Sequence, residues 1–256
     1  GGFTALAEFH YLHHDKDGGA YADIAAMGGA IAAAAEETGI GLTLLPVLYR
    51  YGNFGKAPAA PGQRRFLNDR DAYARLIEGS EKAVAGLPDA RVGLAPHSLR
   101  AVALEDLNWV AELRMDVPLH IHVAEQTREV EDSLAITGRR PVELLMQNTA
   151  VNERWCLIHA THLSDTERDA MALSGAVAGL CPITEANLGD GIFDGVRYRA
   201  KGGRIGVGSD SNVEIGAGGE LRVLEYSQRL RDRRRALWAE AGVSAGLRLW
   251  QDACAG

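Results

Sequence analysis

Seven short apolar runs recur along this 256-residue chain, at residues 4–9, 41–47, 91–95, 118–123, 155–159, 176–181 and 204–208. Segments with apolar residues at helical spacing separate them, at 21–38, 69–85, 104–113, 130–137, 141–148, 164–174 and 219–230. Strands that are apolar on both faces need cover on both sides. Amphipathic helices between them supply it, so the pattern predicts a parallel sheet with crossover connections. This number of strands at this spacing favours an α/β fold, a (β/α)₈ TIM-type barrel lacking a unit, over an open doubly wound sheet. No Gly-x-Gly-x-x-Gly follows the first run, so the dinucleotide-binding alternative lacks its fingerprint.

The punctuation between elements agrees with this reading. Ser164-Asp165-Thr166-Glu167 has the form of a capping box. Gly39 follows Thr38 as a helix-stopping glycine. Residues 49–68 form a long loop with Gly52, Gly55, Pro58, Pro61 and Gly62, a length typical of lids and binding loops. No Pro/Ser-rich linker divides the chain, which predicts one catalytic domain over 1–256. The chain begins inside a strand-like pattern without Met and stops inside a helical one, which predicts a piece of a longer protein.

Charge and cysteine usage narrow the function classes. The net charge of −7 is opposite to the basic surface of a nucleic-acid binder. The basic run at 229–235 is interrupted by Leu230 and Asp232 and reads as a solvated helix face. No stretch has the apolar length to span a bilayer, and the first residues lack the form of a signal peptide. Cys156, Cys181 and Cys254 are odd in number and match no zinc or redox spacing, which favours a reducing cytoplasm. The expected partner is therefore a small molecule, with neither nucleic acid nor membrane involved. The expected assembly is a homodimer.

In a barrel of this type chemistry sits at the carboxyl ends of the strands. The residues at those exits are His10, Tyr49, His97, His122, His159, Cys181 and Asp210, so four of the chain's 8 histidines stand there. His122 and Asp210 are candidate ligands for one divalent metal, Zn²⁺ by preference or Fe²⁺ or Mn²⁺. Glu125, three residues after His122, is placed to move a proton. His120 lies on the same face of the strand but deeper, in a packing role. His159 is placed to touch a metal-bound water or the substrate, and His162 to serve structure. His97 and Arg100 have the chemistry of a carboxylate clamp. Simpler readings compete at each position. They are a packed core histidine at His122, a helix N-cap at Asp210, helix-entry polar groups at His159 and His162, and a capping histidine beside a surface arginine at His97 and Arg100.

His122-x-x-Glu125, Ile158-His-Ala-Thr-His-Leu163 and Gly208-Ser-Asp-Ser211 together resemble the amidohydrolase superfamily of metal-dependent deaminases. Three further stretches narrow the resemblance to the formimidoylglutamate deiminase family of histidine degradation. They are Cys181-Pro-Ile-Thr-Glu-Ala-Asn-Leu-Gly-Asp-Gly-Ile-Phe193, Gln63-Arg-Arg-Phe-Leu-Asn68 and the segment 220–233. The resemblance covers nearly the whole chain. It implies that His122 and Asp210 bind the metal and that Asp210 takes a proton from water. It implies that Glu125 shuttles protons and that His159 contacts the attacking water or the substrate. It implies that His97, Arg100 and Tyr11 hold substrate carboxylate. The reaction implied converts N-formimidoyl-L-glutamate and water to N-formyl-L-glutamate and ammonia. The chain departs from the pattern in three ways. It lacks the first-strand His-x-His pair that supplies two more ligands. It lacks the flanking segments that form a small β-sandwich. It has Ser211-Asn212, then Glu214, where Ser-His is expected. A guanine, cytosine or triazine hydrolase of the same superfamily, and a catalytically incompetent fragment, remain as alternatives.

Overall fold

The structure, a computed structural model, describes residues 1–211 and 214–256. Asn212, singled out above, lies outside the described residues. The chain divides into two compact units, Thr4–Ile121 and Gly1–Phe3 with His122–Gly256.

The unit Thr4–Ile121 is built around β2 (Gly41–Leu48), which pairs in parallel with β1 (Ala5–His10), β3 (Ala90–Val92) and β4 (Ala95–Pro96). Every residue of β2 but Thr43 is buried, as expected of a central strand covered on both faces. The helices α1 (Ala26–Thr38), α2 (Arg70–Val84) and α3 (Leu104–Leu113) alternate with these strands. Helix α1 starts five residues later than its apolar pattern suggests. Asp23 explains the delay, because its side chain accepts from Ala25 N–H and its carbonyl from Ala26 N–H, which fixes a turn there. Gly39 ends α1 in the left-handed conformation, as expected.

The run expected at 91–95 is interrupted between β3 and β4. A Cβ on Gly93 would lie 2.6 Å from Leu45 Cδ2 and 2.9 Å from Pro118 O, so only glycine lets the backbones approach this closely. Leu94 N–H then bonds Pro118 O and Leu94 O accepts from His120 N–H. Tyr73 of α2 closes the same region. It is fully buried, donates its hydroxyl to Pro46 O at 3.1 Å and accepts from Ala95 N–H at 3.1 Å.

A second sheet has the order β5 (Leu119–Val123), whose last two residues open the second unit, β6 (Trp155–His159), β7 (Val177–Leu180), β8 (Arg204–Val207). The pairs β6–β7 and β7–β8 are parallel. The helices of the second unit are α4 (Thr127–Thr137), α5 (Pro141–Asn148), α6 (Asp165–Ser174), α7 (Pro182–Leu188), α8 (Gly195–Ala200), α9 (Ala217–Asp232) and α10 (Ala245–Ala255). Ser164 caps α6, accepting from Glu167 N–H at 3.3 Å while Ser164 N–H bonds the Glu167 carboxylate at 2.8 Å. Helices α7 and α8 are not apparent in the sequence, because seven and six residues are too few to display helical periodicity. The basic run at the end of α9 is ion-paired. Arg229 meets Glu225, and Arg231 meets Asp194 and Asp232.

Two measurements follow from the first unit. Tyr73→Phe leaves the buried Ala95 N–H without its acceptor, so it is expected to cost about 1–3 kcal/mol, read from the urea midpoint. No change in that midpoint would contradict the assigned role. The second concerns acid stability. Burial lowers the imidazole of His10 to about 4 and that of His13 to about 3, from an ordinary 6.5. The unfolded chain binds these protons near pH 6.5 and the folded chain only far lower, so stability falls as pH drops from 6.5 toward 4. His13→Gln is expected to flatten that fall by up to about 1.4 kcal/mol per pH unit. An unchanged slope would contradict it.

Candidate active site

In the unit that begins at His122, the chain leaves β5, β6 and β8 through left-handed backbone at residues other than glycine. Ala124 has φ 51°, His159 66°, Ala160 46° and Asp210 50°. Such conformations cost about 1–3 kcal/mol each and persist only where surrounding bonds impose them. At β5 those bonds come from Glu129, in the first turn of α4. This carboxylate is 3% exposed and accepts from Ala124 N–H at 2.9 Å and from Glu125 N–H at 3.1 Å. At β6, Ala160 N–H bonds Val123 O at 3.1 Å and His162 N–H bonds Ala124 O at 3.0 Å. Each exit thus fixes its neighbour.

These turns bring four of the expected residues into one cluster. His159 is 1% exposed, and its ring stacks on that of His122 with centroids 5.6 Å apart and planes 19° apart. Its Nε2 lies 3.6 Å from Glu125 Oε1. Its Nδ1 lies 3.3 Å from Glu185 Oε1, which also accepts from Cys181 N–H at 3.0 Å. Burial opposes a charge on His159, but the Glu185 hydrogen bond and the charges of Glu125, Glu185 and Asp210 outweigh it and raise its pKa. The same carboxylates bear on Cys181, whose thiol is raised well above its ordinary value, first by burial and then by Glu185, Asp210 and Glu220. A thiol so placed is inert as a nucleophile.

One of the simpler readings fails against this geometry, while the stack of His122 on His159 leaves both readings of His122 standing. Asp210 does not cap α9, whose N-cap is Gly216. His159 takes part in the cluster, whereas His162 bonds Asp190 O at 2.7 Å and serves as a backbone anchor. His120 alternates onto the same face of β5 as His122, and burial lowers its pKa to about 4, with a smaller contribution from Arg91.

The unit Thr4–Ile121 holds the other expected residues. His97, following β4, lies among rings from the exits of β1 and β2, with centroids 6.1 Å from Phe9, 5.6 Å from Tyr11 and 4.6 Å from Tyr49. Tyr11 also meets Phe66 of the long loop at 4.7 Å. His97 Nδ1 lies 3.0 Å from Ser98 Oγ. Gln63 donates to Tyr49 Oη at 2.6 Å. Burial raises the Tyr49 phenol, against the opposing effects of Gln63 and of the nearby Arg100 charge. Tyr11, His97 and Arg100 therefore share one polar-aromatic patch. Asn68 closes the base of the loop by accepting from Tyr49 N–H and donating to Val47 O.

The sequence places Tyr49 at a strand exit without a specific role, and it gives Glu129, Glu185 and Gln63 none. Gln63 and Glu185 stand inside stretches that carried the resemblance, which was the available signal. Nothing in the spacing marks Glu129, which is found only through its two backbone bonds.

His122 and Asp210 offer imidazole and carboxylate, donors suited to a divalent ion. Among the described residues, however, no group of three or more His, Cys, Asp or Glu side chains is arranged to hold a metal. Two donors are short of a complete coordination shell, so the described residues do not complete a metal site by themselves.

The Amidohydrolase family profile matches residues 1–249, and the chain belongs to the amidohydrolase family. Metal dependence is general in this family, and a divalent ion is the cofactor class it implies. The chain is 52% identical over its whole length to a formimidoylglutamate deiminase of Pseudomonas aeruginosa, and covers 56% of that protein. It is 57% identical to an amidohydrolase of Brucella melitensis of known crystal structure, with a TM-score of 0.97 over 98% of this chain and 56% of that one. A 5-methylthioadenosine/S-adenosylhomocysteine deaminase of Pyrococcus furiosus is 30% identical over 73% of this chain, which spans 49% of its length. The chain thus spans about half the length of the curated relatives it matches.

Glu129→Ala removes the acceptor of two N–H groups at the β5 exit. It is expected to cost about 2–4 kcal/mol in urea unfolding and to accelerate amide exchange at Ala124 and Glu125 selectively. Unchanged protection at those two amides would contradict its role.

Proposed function

We propose that the complete gene product carrying this chain is a hydrolytic deiminase. It converts N-formimidoyl-L-glutamate and water to N-formyl-L-glutamate and ammonia, in a reducing, cytoplasmic setting. The observation that carries this reading is the 52% identity to the Pseudomonas aeruginosa deiminase across all of this chain. The cluster of Glu125, His159 and Asp210 supports it, because these residues supply the acids and bases that the reaction needs.

Asp210 accepts a proton from the attacking water, and the water oxygen bonds to the formimidoyl carbon. Glu125 delivers a proton to the imine nitrogen. The tetrahedral intermediate then carries a hydroxyl and an amino group; Asp210 passes the proton it holds to the amino nitrogen, Glu125 takes back the hydroxyl proton, the carbon–nitrogen bond to that nitrogen breaks, ammonia leaves, and the carbon becomes a formyl group. His159, drawn toward its charged form by its carboxylate neighbours, steadies the oxygen that gains charge. Arg100, His97 and Tyr11 receive a carboxylate of the glutamate portion. His122 and Asp210 contribute two donors toward a divalent ion, for which Zn²⁺ is the best match to imidazole and carboxylate. The remaining donors are not among this chain's described residues.

Ammonia release from N-formimidoyl-L-glutamate by the complete gene product tests the reading, and absence of release would overturn it. Glu125→Gln is expected to lower kcat roughly 10²–10⁴-fold and leave metal content unchanged. Arg100→Ala is expected to lower kcat/KM for this substrate roughly 10–100-fold. A planar base such as guanine needs no such clamp. Turnover of guanine that survives Arg100→Ala, with none of the formimidoyl substrate, would instead identify a base deaminase.

A further inference from the structure

We propose that Glu185, at the fourth position of α7, is a positioning residue that acts through His159. It fixes the ring's orientation and the proton on Nδ1, so that the Nε2 edge faces Glu125. The proposal deepens the reading given above and rests on it for its kinetic consequence.

Three observations carry it. Glu185 is 4% exposed and His159 1% exposed, so neither side chain is held in place by solvent. Glu185 Oε1 sits 3.3 Å from His159 Nδ1 and is itself fixed by the Cys181 N–H at 3.0 Å. A carboxylate is only an acceptor when ionised, so this contact requires the proton on Nδ1. The opposite edge, Nε2, lies 3.6 Å from Glu125 Oε1, the group assigned to proton delivery.

The backbone around Glu185 explains how it holds this position. Pro182 starts α7 and Glu185 N–H bonds Cys181 O, while Glu185 O accepts from Asp190 N–H at 2.9 Å. A second buried acid, Glu220, accepts from Ile183 N–H at 2.9 Å and ties α7 to α9. The carboxylate is therefore aimed by a helix anchored at both ends. His159 holds a left-handed backbone, φ 66°, at the end of β6. A histidine whose second nitrogen is fixed by a carboxylate is a recurring way to set tautomer and ring angle, and loss of such a partner costs roughly 10–100-fold in function.

The test uses the complete gene product. In ¹⁵N-histidine spectra, with His159 assigned by its loss in His159→Asn, the native protein is expected to show a protonated Nδ1 shielded from exchange. Glu185→Ala is expected to abolish that signature, to lower kcat roughly 10–100-fold and to leave KM within about twofold. Glu185→Gln keeps an oxygen for Cys181 N–H and Nδ1–H, so it is expected to retain the Nδ1 proton and recover part of the lost kcat. It also serves as the probe if the alanine variant does not fold, and Glu185→Gln with native kcat would then overturn the proposal. Nδ1 protonation unchanged in a folded Glu185→Ala, or a loss expressed in KM alone, would overturn it as well. If the native protein releases no ammonia from N-formimidoyl-L-glutamate, the proposed function fails. The Nδ1 signal still decides the role of Glu185 in that case.

Discussion

Buried carboxylates bonded to backbone N–H groups hold the site together. In the unit that begins at His122, Glu129, Glu167, Glu185 and Glu220 are 3%, 4%, 4% and 0% exposed. Each accepts from main-chain amides: Glu129 from Ala124 and Glu125, Glu167 from Ser164 and Glu143, Glu185 from Cys181, and Glu220 from Ile183. An ionised carboxylate is expensive to bury without such partners, so the fold and the charges are mutually dependent. At the β5 exit the left-handed Ala124 persists because Glu129 holds its N–H, and at the β6 exit Ala160 N–H is held by Val123 O.

The functional consequence is electrostatic. His159 is buried, which by itself would keep it neutral, yet three carboxylates surround it and shift it the other way. Glu125 and Glu185 approach opposite ring nitrogens, so the imidazole is both oriented and polarised. Perturbed groups of this kind concentrate at functional sites.

Much of this was legible in the sequence, for physical reasons that differ by element. The strand over Trp155–His159 and the helices Leu104–Leu113 and Pro141–Asn148 were readable to the residue. An unbroken apolar run marks the strand, and Pro141 at the first helical position marks the start of the second helix. The break between β3 and β4 was not readable, because it depends on how closely Leu45 and Pro118 O approach Gly93. Helices α7 and α8 were too short to show a period. His122, Glu125, His159 and Asp210 were visible because strand exits are where such residues gather. Glu129 and Glu185 were not, since their roles lie in hydrogen bonds to backbone groups that only the folded chain brings within reach.

The most direct measurement is anomalous diffraction from crystals of the complete gene product grown with a divalent ion. The expected result is one metal peak bonded to both His122 and Asp210, with Glu125 and the ring of His159 beside it and Glu185 on Nδ1. A metal bound elsewhere, with His122 and Asp210 sharing no ligand, would contradict it.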